Sequence, residues 1–270
     1  MSPAANLVWL NGQPATAEAL APLAFSGFAH FTALQIRGRG VKGFDLHLTR
    51  LRNASLRLFG HAIPDHEVTE IVRAAIEEGP EDVSLTATIF ANSGEFRAES
   101  MNIMPSILLR AAPPANGPSG PLRLTVVSYE RPMAEIKHVG EIAKTRYLHE
   151  ALKQGYDDAV FVDGRGRLSE GTIWNAVFQD KEGAIVWPKA DILTGTMMGI
   201  VQGALTKQGI LQRDAEITLG DLAEMTGAAV MNSWTPGVAV SAIGEQTFPH
   251  SGRLQKLLHD VFATVPWSPL

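Results

Sequence analysis

The stretch that decides the fold is residues 155–178, GYDDAVFVDGRGRLSEGTIWNAVF. Its apolar run DAVFV predicts a strand, the glycines that follow predict a tight turn, and RLSEG predicts a second strand. Glu170 ends that second strand behind mostly apolar residues, and Gly171 lets the backbone bend directly after it. A glutamate beside a turn is commonly an exposed surface residue, so Glu170 taken alone predicts no chemistry.

The sequence on either side of this stretch predicts strands joined by hairpins, with helices between them. Residues 175–188 predict a hairpin over a Glu-Gly turn, and residues 32–44 predict another with glycines at its bend. Residues 141–155 and 195–209 predict helices. Residues 111–122, AAPPANGPSGPL, consist almost wholly of Ala, Pro, Gly and Ser and therefore predict a connection.

The connection divides the chain into two predicted parts of the α+β class. We expect a small N-terminal α/β domain over residues 1–111 and an interdomain linker over 112–121. A larger domain is expected over residues 122–270.

Composition excludes several classes of protein. The formal net charge is −5 and no basic block is present, which argues against a nucleic-acid partner. The chain has no cysteine, so disulfides, thiolate metal sites and cysteine nucleophiles are excluded. The sequence contains no apolar run of membrane length and no signal-peptide start, so we expect a soluble cytoplasmic protein without a membrane partner.

The eight histidines do not predict a metal site, because they do not fall at metal-ligand spacing. His47, His66 and His149 lie on predicted helices, where we expect them to be solvated or to cap a helix end.

Two lysines stand seven positions apart in residues 135–146, EIKHVGEIAKTR. Lys137 precedes the predicted helix on an extended segment. Lys144 lies within the helix near Ala143, Tyr147 and Ala151, which favours an apolar stem that reaches past a packed face to water. From the residues alone, either lysine could supply a reactive amine, and either could be an ordinary structural or surface residue.

Two predicted chain segments could hold an anion. Gly195 and Thr196 open a helix whose first amides are free to bind phosphate, and Ser233 with Thr235 lies in a loop after an apolar strand. Ordinary capping explains each equally well. Together with Glu170 and a lysine amine, however, they meet the needs of pyridoxal 5'-phosphate (PLP), which requires an amine, an acidic partner for its ring nitrogen and phosphate anchors.

With these motifs the chain resembles the class IV aminotransferases, the fold-type IV PLP enzymes. These include branched-chain and D-amino acid aminotransferases and aminodeoxychorismate lyase, and the resemblance extends over residues 7–262. The segment IKHVG resembles that of the Schiff-base lysine, which implies that Lys137 is catalytic, and its KH pair is similar to the lyase branch. The segment LSEGTIWNAVF resembles the family's Glu-Gly-x-x-x-Asn pattern, which implies that Glu170 and Asn175 bind the cofactor.

The resemblance also implies the phosphate anchors. DLHLTRLRNAS is similar to the family's His-x-x-Arg-Leu helix and implies Arg50. ILTGTMMG resembles the helix start that holds phosphate and implies Thr196 and Met197, while VMNSWTPGVAV implies Ser233 and Trp234.

The chain departs from the family pattern where substrate carboxylates are bound. Met197 and Met198 stand where Thr and Arg are usual, and Phe31-Thr32 replaces an aromatic-glutamate pair. The strand SLTATIF lacks an arginine that several members carry there. The arginines that could take over its function, or else lie on the surface, are Arg37, Arg97 and Arg146. The residues expected to line the substrate pocket are His30, Phe31 and Trp174.

The resemblance therefore implies a two-domain enzyme whose larger domain contains a barrel-like mixed sheet. The implied reaction is a PLP-dependent transfer of an amino group between a small amino compound and a keto acid, through a Schiff base on Lys137. A PLP-dependent lyase of the aminodeoxychorismate type and a catalytically silent PLP-binding or interaction protein are the alternatives. The family also implies a homodimer.

Overall fold

A computed structural model describes residues 7–21, 23, 27–91 and 103–270. The chain forms two compact units, Met1–Ala115 with Ile136–Gly140 and Trp267–Leu270, and Asn116–Glu135 with Glu141–Pro266. The break after Ala115 falls within the segment whose composition indicates a connection. The short segment Ile136–Gly140, which contains Lys137, belongs to the first unit rather than to the unit that surrounds it in sequence.

The first unit is a five-stranded antiparallel sheet covered by helices, with the strand order β2-β1-β5-β4-β3. The strands are β1 (Val8–Leu10), β2 (Gln13–Pro14), β3 (Ala29–Ile36), β4 (Val83–Phe90) and β5 (Ser106–Ala112). The helices are α1 (Ala17–Leu20), α2 (Phe44–Phe59) and α3 (Asp65–Glu78). Alternate residues of β4, among them Leu85 and Ile89, pack in one core with the apolar stripe of α3, which includes Val68 and Val72.

The second unit contains nine strands and three α-helices. The strands are β6 (Leu122–Ser128), β7 (Asp158–Val162), β8 (Leu168–Gly171), β9 (Asn175–Asp180), β10 (Ile185–Pro188), β11 (Gln212–Ala215), β12 (Met225–Asn232), β13 (Thr235–Ile243) and β14 (Gln246–Thr247). The helices are α4 (Ile142–Lys153), α5 (Thr196–Lys207) and α6 (Ser251–Ala263), with a 3-10 turn at Gly220–Glu224.

Six of these strands close into a barrel in the order β9-β12-β13-β6-β7-β8, and β8 returns to β9 through the pair Glu170 and Asn175. The sheet is mixed, since β6 runs parallel to β7 and β13 whereas the other barrel pairs are antiparallel. Alternation along β9 sends Phe178 into one apolar cluster and Val177 into another that packs against α5 and α6. The predicted α+β class with a barrel-like mixed sheet is confirmed.

The hairpin predicted over residues 32–44 is wrong. A bridge between Arg37 and Gly40 closes the glycine turn, but β3 pairs with β4 instead of with the residues after the turn. Val41 pairs with Ser268 near the end of the chain, and α2 begins three residues later. Among the described residues, no helix is long and apolar enough to cross a membrane.

Candidate active site

Glu170 is a buried carboxylate at the seam of the barrel. It lies on β8, and only 4% of its side chain is exposed. The Arg131 guanidinium donates from Nε to Glu170 Oε1 at 2.8 Å, and Lys144 Nζ lies 3.6 Å from the same oxygen. Glu170 is therefore an interior carboxylate between two cations, and it is not an exposed residue of a surface turn.

Arg131 links Glu170 to a second carboxylate. Its side chain is 2% exposed and donates from Nη1 to Glu141 Oε1 at 3.0 Å, and its other terminal nitrogen donates to the carbonyl of Ala134. The forked guanidinium thus fixes the positions of both carboxylates. The sequence analysis did not identify Arg131, because a single arginine in the segment YERPM follows no spacing rule.

The expectation that the Lys144 side chain extends past a packed face to water is wrong. Its side chain is 9% exposed, and its ammonium points toward Glu170 and toward Glu141 Oε1, which lies 3.9 Å away. Burial lowers the pKa of Lys144, while the charges of Glu170 and Glu141 oppose that shift.

Asn175 connects the barrel seam to the start of α5. It pairs with Glu170 across β8 and β9, and its Nδ2 donates to the Leu193 carbonyl at 2.7 Å. Gly195, the residue before α5, packs against the side-chain oxygen of Asn175 so closely that a Cβ would overlap it. The path of the chain into α5 therefore depends on glycine at this position.

The start of α5 is preceded by Gly195, which has no side chain of its own to cap the first amides of the helix. Thr196, Met197 and Met198 are buried, and both methionine side chains pack in the apolar cluster under α5 and α6. Met197 can therefore bind an anion only through its backbone amide, and the partial positive charge at the start of the helix would strengthen that binding.

We expect Gly195→Ala to disturb the site and Gly203→Ala to leave it intact. The methyl group at position 195 would displace Asn175, costing about 1–3 kcal/mol of folding stability. At Gly203, on the exposed side of α5, a methyl group meets no described atom within 4 Å and should stabilise the helix by about 1 kcal/mol. Thermal unfolding measures both effects. Equal stability of the two variants would contradict the role of Gly195.

The turn at Ser233 and Trp234 joins β12 to β13. The Trp234 amide donates to the Asn232 side chain at 2.8 Å, so this amide already has an acceptor. The Trp234 ring meets the edge of Trp174 at 6.3 Å between centroids. Trp174 is 4% exposed, and its indole nitrogen donates to Asp158 at 2.7 Å, so it forms part of the packed interior of the second unit.

Lys137 lies on an extended segment beside β3 in the first unit. Its carbonyl accepts from the Phe31 amide at 2.9 Å, and the Val139 amide donates to the Ala29 carbonyl at 3.0 Å. The side chain is half-buried, with Nζ 4.7 Å from the centroid of the Phe31 ring. Lys137 and the predicted pocket residue Phe31 are therefore in contact.

Two histidines of the first unit, His30 and His47, are interior residues. His30 on β3 is fully buried, contacts Ser55 Oγ at 2.9 Å through Nε2 and stacks on Phe59. His47, which we expected to be solvated or to cap a helix, is 4% exposed and contacts Thr32 Oγ1 at 2.7 Å, so that expectation is wrong. Burial lowers the pKa of each histidine to about 3, and the charge of Arg50, half-buried on α2, adds to the effect at His47.

A family model described as amino-transferase class IV matches residues 29–243. The chain belongs to the class IV aminotransferase family. No curated protein matches it in sequence.

Solved structures of other proteins share the fold of this chain. The branched-chain aminotransferase of Thermoproteus uzoniensis, solved with norvaline, is 21% identical with a TM-score of 0.80, over 95% of this chain and 93% of that one. The T.th. branched-chain amino acid aminotransferase, complexed with N-(5'-phosphopyridoxyl)-L-glutamate, is 18% identical with a TM-score of 0.79, over 96% and 95%. A putative 4-amino-4-deoxychorismate lyase of Legionella pneumophila is 16% identical with a TM-score of 0.77, over 88% and 92%.

The arginines considered as substitutes for the missing substrate arginine have different surroundings in this member of the family. Arg37 donates to the Ala115 carbonyl at 3.0 Å and to Gln35 Oε1 at 3.0 Å, which commits its guanidinium to the first unit. Arg146 is 75% exposed and pairs with Glu150 on the same helix. Arg97 lies outside the described residues.

Proposed function

We propose that the protein is a PLP-dependent aminotransferase that moves an amino group between a small amino compound and a keto acid, with Lys137 as the lysine that carries the cofactor. The observation that carries this proposal is the buried carboxylate of Glu170, which is held in place by Arg131 at the barrel seam. Family membership supports it, as do the fold relatives solved with N-(5'-phosphopyridoxyl)-L-glutamate and with pyridoxamine 5'-phosphate.

The residues of the second unit fit this cofactor. The start of α5 offers the amides of Thr196 and Met197 to a phosphate, and Gly195 lets the Asn175 side chain pack against that start. Asn175 orients that start, and Ser233 in the turn before β13 adds a hydroxyl donor. We assign Arg50 to the phosphate as well, because its guanidinium can donate two parallel hydrogen bonds.

Glu170 and Lys137 have separate proposed tasks. When bound, the cofactor supplies an electron sink that stabilises negative charge at the substrate's α-carbon. The Glu170 carboxylate holds a proton on the ring nitrogen and so strengthens that sink. Lys137 Nζ takes the proton from the α-carbon and returns it to the reacting carbon of the cofactor.

The position of Lys144 supports Lys137 as the cofactor lysine. The aldehyde of PLP stands across the ring from the nitrogen. A lysine within 3.6 Å of Glu170, the proposed partner of that nitrogen, lies at the wrong end of the ring to react with the aldehyde.

A lyase reaction on an aminodeoxychorismate-type substrate is the second candidate. The Lys137-His138 pair and the likeness to the Legionella lyase fold favour it. The two reactions differ in their products. A transaminase needs a keto-acid acceptor and yields a new keto acid, whereas the lyase releases pyruvate from aminodeoxychorismate without an acceptor.

Reconstitution with PLP tests the cofactor assignment directly. We expect the purified protein to turn yellow with PLP, and borohydride reduction followed by peptide mapping should place the label on Lys137. A protein that stays colourless and unlabelled would be a class IV fold without PLP chemistry. A label that disappears in Lys144→Ala but persists in Lys137→Ala would reverse the assignment of the two lysines. Coloured, labelled protein that turns over neither substrate class would favour the silent PLP-binding alternative.

The assembly proposed for this enzyme is a homodimer. Light scattering of the PLP-bound protein tests it, and a monomeric mass would contradict it.

A further inference from the structure

A buried cluster of four charged groups surrounds the Glu170 carboxylate. Arg131 follows β6, Glu170 lies on β8, and Glu141 with Lys144 belongs to the start of α4. Arg131 donates to both carboxylates, at 2.8 and 3.0 Å, and Lys144 lies 3.6 and 3.9 Å from the same two oxygens. With two cations and two carboxylates, the cluster is neutral when every group is charged.

The two cations differ in whether they can discharge. An arginine guanidinium keeps its charge in proteins. Lys144 is a buried amine that lies 3.6 and 3.9 Å from its carboxylate partners, and burial lowers its pKa although Glu170 and Glu141 oppose that shift. Of the two cations, Lys144 is therefore the one that can lose its charge.

The phenol groups near the cluster do not change charge in place of Lys144. Burial, followed by the charge of Glu141, raises the pKa of Tyr129, so this phenol stays neutral where Lys144 titrates. Tyr147, one turn after Lys144 on α4, packs against the Tyr129 ring at 5.1 Å. The groups that face Lys144 electrostatically are thus Glu170, Glu141 and Arg131.

We propose that Lys144 sets the proton occupancy of the cofactor's ring nitrogen by competing with it for the Glu170 carboxylate. The inference rests on the proposed function, in which Glu170 faces that nitrogen. A protonated ring nitrogen would be a third cation at one carboxylate, and the neutral cluster would become positive. Lys144 prevents this by releasing the Nζ proton to solvent as the ring nitrogen takes one up, so the total charge is conserved. Lys144 is thus a positioning and tuning residue that does not react with substrate.

Three variants separate tuning from simple support of Glu170. Lys144→Met removes the competing charge at similar volume, Lys144→Arg makes that charge permanent, and Lys153→Met, at an exposed position of the same helix, is the matched control. We expect Lys144→Met to bind PLP about tenfold more tightly than the wild type and Lys144→Arg about tenfold more weakly, since the charges interact at short range in a buried site. A residue that merely supports Glu170 gives the opposite order, because arginine would preserve the contact and methionine would lose it.

The number of protons exchanged on PLP binding gives a second readout, obtained by calorimetry in buffers of different ionisation enthalpy. We expect Lys144→Met to take up more protons than the wild type, by up to one per site, and Lys153→Met to match the wild type. This readout stays decisive if Lys144→Arg does not fold. Identical proton uptake in wild type and Lys144→Met, or tighter binding by Lys144→Arg, overturns the inference and leaves the proposed function standing. Failure of the wild type to bind PLP overturns both.

Discussion

Lys137→Ala should abolish amino-group transfer, with a loss of at least about 10⁴-fold in kcat. General acid-base catalysis alone contributes about 10²–10⁴-fold in enzymes, and this variant would lose both the proposed proton carrier and the amine proposed to hold the cofactor. The fold should survive, because the backbone of residue 137, which the substitution keeps, supplies the contact to β3. Turnover with a panel of amino donors and keto-acid acceptors measures the loss, and circular dichroism checks the fold.

The matched variant for this experiment is Lys144→Ala, which removes the other lysine of the same segment. We expect it to keep covalent PLP and measurable turnover, since Lys144 contacts Glu170 rather than the reacting end of the proposed cofactor.

A small added amine such as methylamine should restore part of the proton transfer in Lys137→Ala. Full turnover by Lys137→Ala would remove Lys137 from the mechanism.

The strands of the second unit could be predicted from sequence where local patterns decide them. Residues 155–178 formed the predicted strand, turn and strand because apolar runs bounded by glycine leave few other choices. Local patterns could not predict the barrel, since it needs β9 to pair with β12 and β6 to pair with β13, strands that lie far apart in sequence. The hairpin predicted at residues 32–44 failed for a related reason, because β4, distant in sequence, provides better pairing for β3.

The contacts among the charged groups around Glu170 could not be predicted from sequence either, because they join residues from different elements. A helical wheel predicts that Lys144 lies near Tyr147 and Ala151, but it does not reveal that a carboxylate lies opposite that face. Arg131 has no sequence signal at all, because its two carboxylate partners lie 10 and 39 positions away. Motif resemblance identified Glu170, and only the three-dimensional arrangement shows what holds it.

His30 and His47 should make the protein acid-sensitive, with about 4 kcal/mol of folding stability lost between pH 7.5 and pH 5. Each histidine has a pKa of about 3 in the folded chain and of 6.5 in the unfolded chain. Below pH 6.5 the unfolded chain therefore binds protons that the folded chain does not bind. The stability from these neutral imidazoles is complete above pH 6.5 and is lost progressively down to about pH 3. At pH 5 each histidine accounts for about 2 kcal/mol of the loss.

The physical cause is the surroundings of the two rings. His30 stacks on Phe59 and contacts the Ser55 hydroxyl, and His47 contacts the buried Thr32 with the Arg50 charge nearby. Among the described residues, neither ring contacts an anion that would stabilise a charged imidazole. Urea unfolding from pH 4.5 to 8 measures the slope. The variant His30→Gln/His47→Gln should reduce the loss of stability by about 4 kcal/mol between pH 7.5 and pH 5, and His66→Gln, at an exposed position of α3, should follow the wild type. An unchanged slope in the double variant would mean that these histidines take up their protons without unfolding the first unit.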